Sequence, residues 1–162
     1  MKTSIYFKWS TRMMMQTIIL LLFFLGFAAF CGYHAMNAVC CYRYLIAVGI
    51  LLVAILAALV NMPRKIIIDK YDKKLVICLI GYKITIPFNQ IESVQPLAEN
   101  ERLTIQIFGT TGMFGYNGLY RTNSKETVLG FVSDASCMHI IRRKGKRPVV
   151  ISIPNLSDIL MN

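Results

Sequence analysis

Two long runs of apolar residues dominate the first third of the sequence. No Asp, Glu, Lys or Arg occurs between Arg12 and Arg43, and none occurs between Arg43 and Arg64. As helices, residues 13–33 would be roughly 31 Å long and residues 44–62 roughly 28 Å long. Both lengths match a bilayer hydrocarbon core of about 30 Å, whereas a helix facing water would carry charge along one face. The sequence therefore predicts two transmembrane helices joined by a short loop.

Basic residues flank the two runs unequally. Lys2, Lys8 and Arg12 precede the first run without an acidic residue, a further basic cluster follows the second, and the loop between them carries only Arg43 and His34. Because short basic flanks stay in the cytoplasm, we expect a multi-pass inner-membrane protein with its N-terminus and C-terminal domain cytoplasmic. The alternative is that the first run is a cleaved signal peptide. The second helix would then remain, and the C-terminal domain would still be cytoplasmic.

The two runs have the character of an anchor. Neither contains an acidic or basic side chain, which argues against a proton relay, an ion path or a transport site. Small residues recur at helical spacing and predict close packing, either within the hairpin or in self-association or binding to another membrane protein. These small residues are Ala28, Gly32, Ala35, Ala47, Ala54 and Ala58.

From Arg64 onward the apolar pattern changes from helical to alternating. Residues 103–108 alternate most regularly, and turn residues separate several other short β-branched runs. We expect a helical turn at residues 89–92 and a short C-terminal helix over residues 156–161. The predicted fold is that of an α+β membrane protein: a transmembrane hairpin in residues 1–63, then a small antiparallel β-barrel in residues 64–162. The other predicted strands cover residues 65–69, 75–80, 83–87, 127–133, 137–143 and 147–153.

Residues 108–122 combine regularly spaced glycines with aromatic side chains. This pattern could cradle a phosphate, but it lacks the Lys-Ser/Thr ending of a P-loop, and no helix follows it. We expect a structured loop that packs on the barrel or reaches the interface below the hairpin; partner binding is the alternative. The candidate loop residues are Gly109, Gly112, Phe114, Gly115, Tyr116, Gly118 and Tyr120.

A basic cluster near the C-terminus is the sharpest charge feature of a chain whose formal net charge is +10. Such a cluster can face anionic lipid headgroups, bind an acidic partner, or simply keep a hairpin tip soluble. Membrane lipids are favoured over nucleic acid, because the other charges are scattered and no nucleic-acid-binding motif occurs. The candidate residues are Arg142, Arg143, Lys144, Lys146 and Arg147.

No constellation of residues predicts catalysis. Ser133, Asp134 and His139 are the residue types of a triad, but their spacing on a strand, a turn and a strand is that of chance. Neither His34 nor His139 has a further ligand at metal-binding spacing, so no metal and no cofactor are expected. Five cysteines without regular spacing predict no disulfide framework.

Three segments resemble the bacterial PH-like domains, in particular the group tethered by transmembrane helices. They are I-P-F-N-Q-I-E-S-V (86–94), F-G-T-T-G-M-F-G-Y-N-G-L-Y-R (108–121) and V-V-I-S-I-P-N-L-S-D-I-L (149–160). The resemblance implies a PH-like barrel closed by a C-terminal helix, and it carries over no ligand and no binding residues. Lys70, Lys73 and Lys74 are loosely similar to the basic residues with which eukaryotic PH domains grip phosphoinositides.

These observations favour a non-enzymatic, membrane-anchored docking or scaffolding module. The alternative is a lipid-sensing or accessory subunit of an envelope transport or stress-response complex.

Overall fold

The computed structural model describes residues 2–37, 42–98, 101–111 and 114–154. Two helices, α1 Thr11–Asn37 and α2 Tyr42–Val60, form a helical hairpin and confirm the prediction of two long apolar helices. Their side chains point outward: Leu22 is 62% exposed and Ile50 is 66% exposed. By length and composition, both helices could cross a membrane.

Helix α1 begins earlier than the apolar run, because Ser10 caps its first turn. The Ser10 hydroxyl accepts a hydrogen bond from the backbone N–H of Met13 at 3.3 Å, and its carbonyl accepts one from Met14 at 3.1 Å. The first bond satisfies an N–H group that has no partner within the helix, and the second is the first i→i−4 bond of the helix. Helix α1 therefore begins two residues before the predicted span and includes Thr11 and Arg12.

The described strands form two sheets. The first has the order β1-β2-β3-β4, and the second has the order β5-β9-β10-β8-β7-β6. Pairing is antiparallel except between β8 and β10, which run parallel with Val149 opposite Leu129. The strands are β1 Lys2–Tyr6, β2 Pro63–Asp69, β3 Lys74–Leu79, β4 Lys83–Pro87, β5 Ile91–Pro96, β6 Leu103–Thr110, β7 Tyr116–Thr122, β8 Thr127–Val132, β9 Met138–Arg143 and β10 Lys146–Ser152.

The two sheets share one aliphatic core. Ile66 of the first sheet and Ile141 of the second belong to the same cluster of buried side chains. Along β10, Val149 and Ile151 face this cluster, whereas Val150 belongs to a second cluster on the opposite face. Because successive side chains of a strand point to opposite faces, the second sheet is covered on both sides. This explains why residues 148–151 of β10 form a continuous apolar run.

Strand β1 is the main element that the sequence analysis missed. It pairs antiparallel with β2, with Lys2 opposite Asp69 and Tyr6 opposite Lys65, and Ile5 packs against the shared core. The predicted N-terminal unit, residues 1–63, thus supplies one strand to the sheet that residues 64–162 otherwise form. The polypeptide leaves this sheet at β1, passes through the helical hairpin and returns to the neighbouring strand β2.

Two further predictions need correction or lie outside the described residues. The expected helical turn at residues 89–92 is a 3-10 turn, Phe88–Gln90, without a side-chain cap, and β5 follows it directly. Ile91 and Val94 pack against the shared core, which favours a strand over a longer helix. The expected C-terminal helix, residues 156–161, lies outside the described residues.

Candidate functional site

The glycine- and aromatic-rich segment is mostly a β-hairpin rather than a loop. Strand β6 continues to Thr110 and β7 begins at Tyr116, which places Gly109, Gly118 and Tyr120 within strands. Gly109 and Gly118 lie opposite each other with φ angles of 125° and 131°. A Cβ atom on Gly109 would lie 2.1 Å from the backbone oxygen of Asn117. These glycines therefore allow two strands to approach closely. Gly112 lies outside the described residues.

Phe114, in the connection between β6 and β7, docks this β-hairpin against the helical hairpin. Its ring is 8% exposed, clusters with Ala58 of α2, and meets the Trp9 ring edge-on with centroids 6.0 Å apart. Its backbone N–H donates a hydrogen bond to the Thr17 hydroxyl of α1 at 3.2 Å. At the next residue, Gly115 has a φ of 107°, and a Cβ would lie 2.4 Å from the carbonyl oxygen of Val132.

Two tyrosines support the connecting end of the same β-hairpin. Tyr120 is 2% exposed, its hydroxyl donates to the carbonyl oxygen of Thr110 at 2.5 Å, and burial raises the pKa of its phenol. The ring of Tyr116 meets that of Tyr120 edge-on, with centroids 6.2 Å apart. Tyr116 and Tyr120 therefore anchor the end of the β-hairpin that carries Phe114.

A second contact ties the segment before α1 to the second sheet. The hydroxyl of Ser133 donates to the carbonyl oxygen of Lys8 at 2.8 Å, and the Ser133 N–H donates to the Ser152 hydroxyl at 2.8 Å. Asp134 accepts hydrogen bonds from Ser136. Within the described residues, Nδ1 of His139 has no hydrogen-bond partner. The structure thus places Ser133 and Asp134 in structural hydrogen bonds and does not link them to His139.

A third contact holds the end of α2. The turn between β3 and β4 donates two backbone hydrogen bonds to it, from Ile80 to Met62 at 3.1 Å and from Gly81 to Val60 at 3.0 Å. The hydroxyl of Tyr82 donates to the side-chain oxygen of Asn61 at 2.8 Å. Together the three contacts make the helical hairpin and the β domain one connected unit.

The structure divides the predicted basic cluster. Arg142 points toward two carboxylates, donating to both oxygens of Glu126 at 2.9 Å and lying 3.7 Å from Glu101. Arg143 is half-buried, its guanidinium donates to the carbonyl oxygen of Arg147, and burial lowers its pKa. These two side chains are committed to contacts within the domain.

The remaining basic residues of the cluster join a second basic turn. The 3-10 turn Phe88–Gln90 lies between them: its Phe88 N–H donates to the carbonyl oxygen of Lys73, and its Gln90 side chain accepts from Lys146. We define the basic end as the five exposed or half-exposed cations Lys70, Lys73, Lys144, Lys146 and Arg147. In the described part of the chain, no ion pair engages any of them.

The basic end lies away from the helical hairpin. Strand β10 runs for seven residues, about 20 Å, from Lys146 to Ser152, which bonds to Ser133 beside the start of α1. Strand β2 likewise runs from Pro63, next to α2, to Asp69, next to Lys70. The sequence did not group Lys70 and Lys73 with the C-terminal basic cluster. The turn that carries them and the turn between β9 and β10 come to the same end of the domain because neighbouring strands alternate in direction.

Other reactive side chains are buried or isolated. Burial raises the pKa of the Cys137 thiol, and the described cysteines Cys31, Cys78 and Cys137 form no disulfide. No group of three His, Cys, Asp or Glu that could hold a metal ion occurs among the described residues.

Comparison with known proteins assigns the β domain. The family model described as "Bacterial PH domain" matches residues 64–160. No curated protein and no solved structure matches the chain. The match begins in β2, covers the remaining described strands and extends over more than half of the sequence. A domain of this kind suggests a docking or interaction module, and the two apolar helices suggest association with a membrane. The chain belongs to the bacterial PH domain family.

Proposed function

We propose that this protein is a membrane-anchored, non-enzymatic docking module whose PH domain presents its basic end to an acidic protein partner. The observation that carries the proposal is the position of the basic end, about 20 Å along β10 from the contacts with the helical hairpin. The helical hairpin would span the inner membrane, with the PH domain in the cytoplasm as the basic flanks favour.

The exposed apolar surface of the helices supports insertion into a bilayer. Side chains such as Leu25, 68% exposed, and Val53, 66% exposed, have no protein partner that would remove them from water. Burying a side chain of this size in an apolar environment gains about 1.5–3 kcal/mol. Summed over two helices, this gain favours the bilayer strongly over solution.

Distance favours a protein partner over lipid headgroups for the basic end. The Debye length at physiological ionic strength is about 8 Å, so charges about 20 Å from the membrane side interact weakly with its surface. A soluble partner can approach that end directly. Carboxylates on the partner would find Lys144, Lys146 and Arg147 exposed and without a competing carboxylate among the described residues.

The proposal is tested with the full chain in phosphatidylcholine nanodiscs and a fluorescently labelled polyglutamate peptide as the probe. Two exposed cations of the basic end are removed in Lys144→Gln/Lys146→Gln. We expect up to about thirtyfold weaker peptide binding, since each exposed charge pair contributes about 1 kcal/mol at contact in water and two are lost. Added salt should weaken wild-type binding in the same direction.

The matched control is Arg64→Gln/Lys83→Gln, which removes two exposed cations at the end next to the helical hairpin. It should retain wild-type binding. Equal loss in both double variants would show that net charge alone attracts the peptide and would contradict a defined docking surface. Recovery of the wild-type chain in solution without detergent would contradict the membrane anchor.

A second candidate function, lipid sensing, is favoured by a different observation. Cavities beneath the first turns of α1 combine arginine side chains with an apolar wall, as described next.

A further inference from the structure

Two adjoining cavities lie between the first turns of α1 and the second sheet. The first, about 280 Å³, is lined by Arg12, Arg102, Leu103, Tyr116, Ala135 and Met138. The second, about 290 Å³, is lined by Gln16, Ile19, Leu20, Thr111 and Tyr116. Tyr116 lines both cavities, and residues of α1 line each of them, so we call the two cavities together the α1 groove.

The α1 groove changes from cationic to apolar along the helix. Arg12, Gln16 and Ile19 occupy successive turns and, at 3.6 residues per turn, share one face of α1. Arg12 lines the first cavity, whereas Ile19 and Leu20 line the second. A molecule that fills both must therefore carry negative charge at one end and hydrocarbon at the other.

The charged end of the α1 groove suits a phosphate. Arg12 and Arg102 line the same cavity, and no carboxylate of the described residues lines it. Arg102 is also engaged within the protein. Planar guanidinium groups donate paired hydrogen bonds to phosphate oxygens, and two of them exceed the charge of one phosphodiester.

This inference rests on the proposal that the helical hairpin spans the membrane. The apolar end of the α1 groove then lies at the depth of the lipid tails. Ile18 and Ile19 are 53% and 62% exposed and lie within two turns of Arg12. Apolar side chains so exposed belong in the hydrocarbon core, which places Arg12 near the headgroups. The α1 groove therefore crosses the boundary between headgroups and acyl chains.

We propose that the α1 groove binds one anionic phospholipid. Its phosphate lies between Arg12 and Arg102, and one acyl chain runs past Tyr116 along Ile19 and Leu20. A zwitterionic lipid is disfavoured, because its cationic headgroup would approach the two arginines without a carboxylate among the described lining residues to pair with it. Through its phosphate, the bound lipid would link Arg12 in the first turn of α1 to Arg102, which directly precedes β6.

The test is native mass spectrometry of the full chain in mild detergent with added phosphatidylglycerol or phosphatidylcholine. Two variants disable the α1 groove by different means. Arg12→Gln removes a charge from the first turn of α1, where a cation does not stabilise the helix dipole. Ala135→Phe fills the first cavity from an exposed position and retains both arginines. Lys83→Gln, at the exposed start of β4 and outside the α1 groove, is the control with an equal change in charge.

We expect wild type and Lys83→Gln to retain phosphatidylglycerol over phosphatidylcholine, and Arg12→Gln to bind phosphatidylglycerol about fivefold more weakly. Ala135→Phe should lose at least as much, with an unchanged Trp9 fluorescence spectrum as the check on folding. Unchanged binding in Ala135→Phe would overturn the proposal, because the lipid would then lie elsewhere on the helices. The proposal would also be overturned if inorganic phosphate displaced bound phosphatidylglycerol as effectively as added phosphatidylglycerol does. Either failure leaves detergent-dependent extraction, and hence the membrane anchor, intact.

Discussion

Asp69 is the buried carboxylate at which β1, β2 and the following turn meet. Its side chain is 2% exposed, lies 3.3 Å from the ammonium of Lys2, and accepts hydrogen bonds from the backbone N–H groups of Tyr71 and Asp72. Burial alone would raise the pKa of Asp69, but the hydrogen bonds from Asp72, Lys2 and Tyr71 outweigh it and lower the pKa below its ordinary value. The carboxylate form therefore stabilises the fold.

This lowered pKa predicts a defined dependence of stability on pH. The contribution of Asp69 is complete above the unfolded-state pKa of about 3.9 and is lost as the pH falls through the lower, folded-state pKa. We expect Asp69→Asn to be less stable than wild type at neutral pH. In acid the unfolding free energies of the two proteins should converge. The measurement is denaturant unfolding of the full chain in detergent across a pH series.

The control for this prediction is Asp72→Asn, which changes an exposed carboxylate paired with Lys74 in the same turn. Exposed pairs contribute little, so this variant should follow the wild-type profile within about 0.5 kcal/mol. A constant difference between Asp69→Asn and wild type at every pH would contradict an ionised Asp69 as the cause.

At the scale of elements, the β-hairpin of β6 and β7 is the clearest link between the PH domain and the helical hairpin. Phe114 inserts at the base of both helices, and the edge-on contact with Trp9 adds to its burial. Trp9 is the one tryptophan of the sequence, so its fluorescence reports on this contact directly. On the same β-hairpin, Phe108 is 79% exposed and offers a matched comparison.

We expect Phe114→Ala to destabilise the unit by about 3–5 kcal/mol, the usual cost of removing a buried aromatic ring. It should also shift the emission of Trp9 before unfolding, because the ring beside it is lost. Phe108→Ala should change the unfolding free energy by less than about 0.5 kcal/mol. Similar effects of both substitutions would contradict the docking role of Phe114.

At the scale of the whole molecule, the helical hairpin is inserted between two neighbouring strands of one sheet. Because β1 pairs with β2 along its full length, residues 2–6 and the PH domain must lie on one side of any membrane that the helical hairpin crosses. The positive-inside pattern favours the same arrangement through an independent physical effect. Three contacts at the base of the helices then limit how far the domain can swing.

Together with the proposed cytoplasmic position of the PH domain, this arrangement predicts the sidedness of three epitope tags. Tags at the N-terminus and in the turn at Gly145 should both be cleaved by protease in inverted inner-membrane vesicles. A tag at residues 38–41 should be cleaved only after detergent is added. Tags at the N-terminus and at Gly145 on opposite sides would be incompatible with pairing of β1 and β2, and accessibility of all three would exclude a spanning hairpin.

The sequence predicted most of the strands of residues 64–154, but it predicted less of how these strands pair and which side chains they bring together. Ile66, Ile77 and Ile151 follow an alternating or continuous apolar pattern that identifies strands locally. Arg142 was grouped with its basic neighbours because its partners, Glu101 and Glu126, lie on other segments. The glycines at positions 109 and 118 suggested a loop, since the close approach that requires them becomes visible only when β6 and β7 are paired.

The sequence by itself determined the two apolar helices and the change to a β domain after residue 63, because length, composition and periodicity are local properties. Tertiary structure alone decided that β1 belongs to that sheet, that the basic end lies far from the helices, and that Phe114 locks the two parts together. Each of these depends on pairing between segments far apart in the chain, Lys2 with Asp69 among them. The free energy of such pairing comes from shared burial and hydrogen bonds, which no pattern of neighbouring residues records.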